Sequence, residues 1–231
     1  MTELKSGFLK RAYDKCLDSI KNTIDLEAHK KAYIGDHREY HGFAESEFAG
    51  KYLDTCINFY NATGDPSLLG KAEELVECII KNQHDDGYLG GYPKEDEWQK
   101  FSVWNQTFTV CGLMSYYKAT KRKRALAAAE KCSKNIAFHY MAEKDDIMDA
   151  FNDGTQNASF LLTLPELYDI TDDVVYAEFI RYIIKRLKNS GNNFFDFESI
   201  FDLRSKKGIE NFIILIGMLF YYCDSNDYEC L

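Results

Sequence analysis

The 231-residue chain carries 28 Lys+Arg against 37 Asp+Glu, a formal net charge of -9 and a pI near 5.1. That acidic balance argues against a nucleic-acid partner, because phosphate binding needs a basic surface. A hydrophobic content of 45% and an aromatic content of 15% describe a folded core, and the length suits one domain over residues 1–231.

The opening stretch, "MTELKSGFLKRAYDK", has no continuous apolar run of the kind a secretory leader carries, and a first helix is expected near Leu4 to Ile24. His37 and His41 form an H-x-x-x-H pair, but the intervening residues lack the glutamate of H-E-x-x-H, so the pair is not read as a zinc site. Glu45 and Glu47 precede the next helical pattern. In "FAGKYLDTCINFYNATGDPSLLGKAEELVECI" two helical patterns flank a turn, with Gly64 free to end the first and Asp65-Pro66 suited to cap and start the second. Leu69, Ala72, Leu75, Val76, Ile79 and Ile80 make one apolar stripe on that second helix.

Next comes "HDDGYLGGYP", His84 to Pro93. It is no phosphate cradle: it lacks G-x-x-x-x-G-K-[ST], and Asp85 and Asp86 repel anions. It is either a structural turn or a sugar-contacting loop offering Asp86, Tyr88 and backbone amides. Trp104, Asn105 and Gln106 stand at the entry to another helix, where Trp104 suits either stacking on a sugar or packing under the glycine-rich loop. The helical pattern repeats in "FTVCGLMSYYKATKRKRALAAAEKCSKNI", whose "KRKR" (Lys121 to Arg124) reads as a solvated connection. Asp153, Thr155, Gln156 and Asn157 then form a polar cluster ahead of "SFLLTLPELYDITDDVVYAEFIRYIIKRL", suited to capping, to lining a cavity, or to both. Asp172 is expected to cap the helix after its turn. Glu210 opens the last pattern, in which "FIILIGMLFYY" is too short to span a bilayer.

Tyr60, Tyr117, Tyr168 and Tyr222 fall at equivalent places, roughly 50 to 57 residues apart, as in helical-hairpin repeats. The first helix of each hairpin is apolar nearly all round and the second is amphipathic, so the first belongs inside and the second outside. The expected fold is all-α: an incomplete (α/α)6 toroid of about four helical hairpins, with about eight helices by periodicity. A closed ring of six hairpins needs twelve helices. The seven cysteines are scattered, with no C-x-x-C pair, and read as small buried hydrophobes in a reducing, cytoplasmic compartment.

Taken in order, "EFAGKYLDTCINFYNATGDPSLLGKAEELVECIIKNQHDDGYLGGYP", "VWNQTFTVCGLMSYYKATKRKRALAAA" and "GTQNASFLLTLPELYDITDDVVYAEFIRYIIKRL" resemble the β-L-arabinofuranosidase-like glycoside hydrolases, family 127 and relatives. The resemblance runs from about Phe43 to Tyr222. It implies an (α/α)6 barrel and removal of arabinofuranose with retention, using a zinc-held cysteine nucleophile, a glutamate acid/base, and further cysteine and glutamate ligands. Zinc is implied by the family alone, because its ligands lie in later hairpins and are not matched here; neither Cys223 nor Cys230 takes those roles. Gln106 stands where relatives often place histidine or another basic residue, and Gln156 where the resemblance leads one to expect histidine; glutamine bonds a hydroxyl but does not titrate.

The resemblance turns the ambiguous positions into one expectation: a carbohydrate ligand held by Asp86, Tyr88, Trp104, Gln106, Thr155 and Gln156. No metal, nucleic acid or membrane is expected in this chain. The alternative is a non-catalytic helical scaffold. A toroid cut short also exposes the sides of its last helices, so self-association or a partner covering "NFIILIGMLFYY" is expected.

Overall fold

The computed structural model describes residues 6–35, 45–98, 101–150, 152, 154–191 and 207–225. His37, His41, Asp153, Cys230 and the side chain of Glu45 lie outside the described residues. Among the described residues ten α-helices follow in order: α1 (Gly7–Asp18), α2 (Leu26–Lys31), α3 (Glu45–Thr63), α4 (Pro66–Lys81), α5 (Ser102–Thr120), α6 (Lys123–Met141), α7 (Thr155–Ala158), α8 (Leu164–Thr171), α9 (Val174–Asn189) and α10 (Gly208–Ser225). No strand occurs among the described residues. The expected opening helix is shorter than the periodicity suggests. It passes into a single π-helical stretch, Ser19–Thr23, and a new helix starts where Asp25 caps α2 through the Glu27 N–H.

Helices α3, α5, the α7–α8 segment and α10 pack side by side as an inner layer. Behind them α4, α6 and α9 form an outer layer, each antiparallel to its inner partner and in contact with the next outer helix. The chain is thus an all-α, toroid-like arc of hairpins. Helix α5 lies between α3 and the α7–α8 segment with α6 behind it, and is buried on most sides, as an all-round apolar helix must be. Helix α4 buries one stripe, Leu68, Ala72, Leu75, Val76 and Ile79. Each of the four larger side chains contributes about 1.5–3 kcal/mol relative to exposure, and Ala72 less.

The repeat resides in the turns. The N–H of Gly64, Lys121 and Asp172 donates to the carbonyl of Tyr60, Tyr117 and Tyr168 at 2.7, 2.7 and 2.8 Å. Each donor sits in the left-handed region, with φ of 72°, 58° and 55°. Thr63, Thr120 and Thr171 precede them, and each threonine oxygen accepts the N–H two residues on. Asp65 then caps α4 and Asp173 caps α9, through the N–H groups of Ser67 and Val175. The cap expected at Asp172 is therefore displaced by one residue: Asp172 ends α8, because an aspartate tolerates the left-handed conformation that glycine supplies at 64. The basic run Lys121–Arg124 spans the turn and the start of α6, with Arg122 paired to Glu73 and Arg124 to Glu73 and Glu77 of α4.

Inner helices touch backbone to backbone. A Cβ on Gly50 would lie 2.3 Å from the Phe108 carbonyl oxygen, and one on Gly112 would lie 2.7 Å from the Gly50 carbonyl oxygen. At the far crossing a Cβ on Gly217 would lie 2.3 Å from the Leu161 carbonyl oxygen. That carbonyl is available because Pro165 cannot donate to it, and its ring would clash with it in a continuous α-helix. The chain instead passes through a 3-10 turn, Ser159–Leu162, which divides an inner helix the periodicity reads as one.

Candidate functional site at the N-terminal ends of the inner helices

The inner helices start close together. Glu47 and Glu210 occupy the third position of α3 and α10, where a carboxylate suits the positive end of the helix dipole. Both are buried. Glu47 pairs with Lys51 one turn on, and its backbone N–H donates to Asn105 Oδ1 of α5 at 3.3 Å. Glu210 receives Thr155 Oγ1 at 2.6 Å, Asn152 Nδ2 at 2.9 Å and Lys207 Nζ at 2.8 Å.

Between the two carboxylates lies an aromatic pair. Trp104 and Phe108 meet edge to face at 4.9 Å, and with Ile213, Phe101 and Leu162 they form a hydrophobic cluster separate from the main core. Lys51 Nζ lies 4.2 Å from the Phe108 ring centre, and Lys207 Nζ lies 4.8 Å from that of Trp104. Each ammonium therefore bridges a carboxylate and an aromatic face, both of which attract it. Beside Thr155, Gln156 is 0% exposed and neither its amide oxygen nor its amide nitrogen has a hydrogen-bond partner among the described residues; the Asn157 side-chain oxygen is likewise unpartnered among them. Leaving such groups unpaired costs about 1–3 kcal/mol each. Of the sequence-based candidates, Trp104, Thr155 and Gln156 belong to this inner region.

Asp86, Tyr88 and Gln106 form a different group. Gly87, at φ 107°, lies against the backbone of α6, where a Cβ would come within 2.5 Å of the Lys131 carbonyl oxygen. This turns Tyr88 inward until it is 1% exposed, its hydroxyl accepting the Tyr92 N–H at 3.3 Å. Gln106 fastens the loop: its carbonyl oxygen accepts the Leu89 N–H at 3.4 Å and the Cys132 thiol at 3.2 Å. Asp86 accepts the Tyr88 N–H at 3.0 Å and pairs with Lys94. Burial pushes its carboxyl up, but Lys94 and that N–H outweigh burial and hold it below the usual carboxylate range.

His84, Asp86 and Glu97 place one possible ligand atom each within 4.8 Å of one another. Lys94 Nζ already provides a cation there, pairing with Asp86 and lying 2.6 Å from Glu97 Oε2. Desolvation pushes the Cys56 thiol up to about 11, that of Cys111 up to about 12, and that of Cys132 upward as well, so these thiols are protonated at neutral pH. Sequence reasoning missed Lys51, Phe108, Asn152 and Lys207, which carry no motif and take meaning only from the carboxylates and rings they meet.

The described residues thus form an all-α, two-layered arc whose inner helices begin beside carboxylates and aromatic rings. The sequence matches the family model of the β-L-arabinofuranosidase GH127 catalytic domain over residues 2–198, and the chain belongs to that family. The fold is similar to a GH127 β-L-arabinofuranosidase from Geobacillus stearothermophilus T6, with TM-score 0.67 and 17% identity over 99% of this chain and 43% of that one. It is also similar to a GH127 β-arabinofuranosidase (TM-score 0.62, 15% identity, 96% of this chain and 37% of that one). A third similar structure is that of a glycoside hydrolase (TM-score 0.63, 14% identity, 99% and 34%). The chain thus spans less than half the length of these solved relatives. No curated protein matches its sequence. No helix among the described residues is long and apolar enough to cross a membrane.

Proposed function

We propose that the inner region recognises a carbohydrate, an arabinofuranose-containing glycan being the class implied by the family. The observation that carries this reading is the arrangement of Glu47–Lys51 and Glu210–Lys207 about the Trp104–Phe108 pair. A sugar presents apolar C–H faces and a rim of hydroxyls, which match aromatic faces bordered by charged acceptors and donors. Thr155 and Gln156 add polar atoms at the same ends of the helices. In this reading Asp86, Tyr88 and Gln106 build the framework behind the site, and the described residues supply recognition without a nucleophile.

Titration with arabinofuranosyl oligosaccharides, followed calorimetrically, tests the proposal. Trp104→Phe and Lys51→Met are each expected to weaken binding about tenfold, near 1.4 kcal/mol. Equal affinity in both variants sinks the assignment. Turnover of an aryl arabinofuranoside by this chain alone contradicts recognition without bond breaking.

A second reading, a protein-interaction homologue, rests on α10. There Ile209, Phe212, Ile216, Leu219 and Phe220 are all more than 40% exposed and follow three- and four-residue steps. This reading assigns that stripe to self-association or a partner, and its test belongs to the whole molecule.

A further inference from the structure

We propose that the outer layer carries a second, independent site, which takes an acidic sugar ring of the uronate type. It is a cavity of about 590 Å³ between α6 and the segment that follows the glycine-rich loop. That size falls within the ~300–1,000 Å³ typical of small-molecule sites. Helix α6 lines it with Lys131, Lys134, Asn135 and Phe138, spaced so that all four share one face. The opposite face of α6 is buried through Ala125, Ala129, Cys132 and Ile136, so the lining face cannot turn away.

Two features define the ligand. The first is a flat floor: Trp98 stacks on His139 with ring centres 3.6 Å apart and planes 7° apart, and Phe138 stands beside it 57% exposed. The stack uses one face of Trp98 and leaves the indole bordering the cavity, where the C–H face of a sugar ring can rest. The second is cationic. Lys134 is committed to Asp173 at 2.8 Å, and Lys94 to Asp86 and Glu97. Lys131 donates to the His84 carbonyl at 3.0 Å, and neither it nor Lys144 meets a carboxylate among the described residues. In a chain of net charge -9, two uncompensated ammonium groups at one cavity select an anion.

A third observation points the same way. The Asn135 amide nitrogen is buried and has no hydrogen-bond partner among the described residues, on a residue that lines the cavity, so a small side-chain adjustment offers a donor to an acceptor on the ligand. Asp86, the one carboxylate in the lining, is held by Lys94 and so repels an anion weakly. A bare inorganic anion would use the lysines and waste the aromatic floor, whereas a neutral sugar would use the floor and leave the lysines unmatched. A ring bearing a carboxylate uses both.

The site does not depend on the inner region, and the experiment keeps the two apart. The full chain is titrated with trigalacturonate, with its methyl ester, with a neutral arabino-oligosaccharide, with ferulate and with inorganic phosphate, by calorimetry and tryptophan fluorescence. Trigalacturonate is expected to bind at least tenfold more tightly than each of the others. Lys131→Glu with Lys144→Glu should weaken it at least tenfold, and Trp104→Phe should leave it unchanged. If the charge-reversed protein fails to fold, Lys131→Gln with Lys144→Gln replaces it, and the ester comparison stands by itself. Equal binding of the ester or neutral sugar removes the charge requirement, and equal binding of phosphate reduces the site to a non-selective cationic patch. Tighter binding of ferulate reassigns it to aromatic acids. Each result overturns the proposal, as does an unaltered affinity on charge reversal or loss of binding in Trp104→Phe.

Discussion

Asp65 shows how much a single carboxylate can organise. It caps α4 through the Ser67 N–H, accepts the Ser67 hydroxyl, and pairs with Lys21 from the first part of the chain at 2.5 Å. The Lys21 bond first, and then those to Ser67, hold its carboxyl down at about 2. A depressed carboxyl lends stability above its unfolded value, near pH ~4, and loses it as pH falls through the folded one. Thermal melts between pH 5 and pH 2 should therefore show an acid limb that flattens in Asp65→Ala; an unchanged limb assigns the loss to other groups. Gln106→Leu should cost about 1–3 kcal/mol in chemical denaturation, because the buried Leu89 N–H loses its acceptor. An isoenergetic variant contradicts that role. Asp65 was legible in the sequence because Gly-Asp-Pro is a local grammar, set by φ preferences and capping. The destinations of Asp86 and Tyr88 were not legible. Gly87 decides which way the loop side chains point, and it does so by its contact with α6, far away in sequence.

Between helices, glycine sets the distances. Gly50, Gly112 and Gly217 let inner helices meet at backbone contact, so an added methyl must move a neighbouring carbonyl, which no rotamer change can avoid. Gly50→Ala and Gly217→Ala should each destabilise by about 1–3 kcal/mol, seen as a lower Tm, although alanine is the better helix former. Gly70, on outer helix α4 with open space around it, is the internal control: Gly70→Ala should be neutral or stabilising. A fall in Tm for all three variants would point to helix propensity or solvent effects and away from crossings. The alternation of inner and outer helices was visible in the apolar pattern, because burial on all sides and on one side leave different periodicities. The break at Pro165 was missed, since a lone proline in an apolar run signals a kink or an end without saying which.

For the molecule as a whole, the exposed stripe of α10 is the feature that bears on assembly. Apolar patches of this kind mark protein or membrane interaction sites, ligand grooves or aggregation-prone surfaces. Phe212→Glu with Phe220→Glu should lower the association state in sedimentation velocity if the stripe joins copies of this chain. A concentration-independent monomer in both proteins removes self-association. Family membership was legible because several motifs recur in order, each weak alone. The inner region was only half legible: Trp104 and Glu210 attract notice as residue types, while Lys51 and Lys207 resemble any solvated lysine until the arc brings them over the rings. The glycine crossings bear on that arc in another way. Where the inner layer is drawn to backbone contact and the outer layer is spaced by full side chains, each hairpin is a wedge, and the curvature follows from the difference in thickness. Three missing methyl groups, at Gly50, Gly112 and Gly217, thus hold the inner layer to its closest spacing.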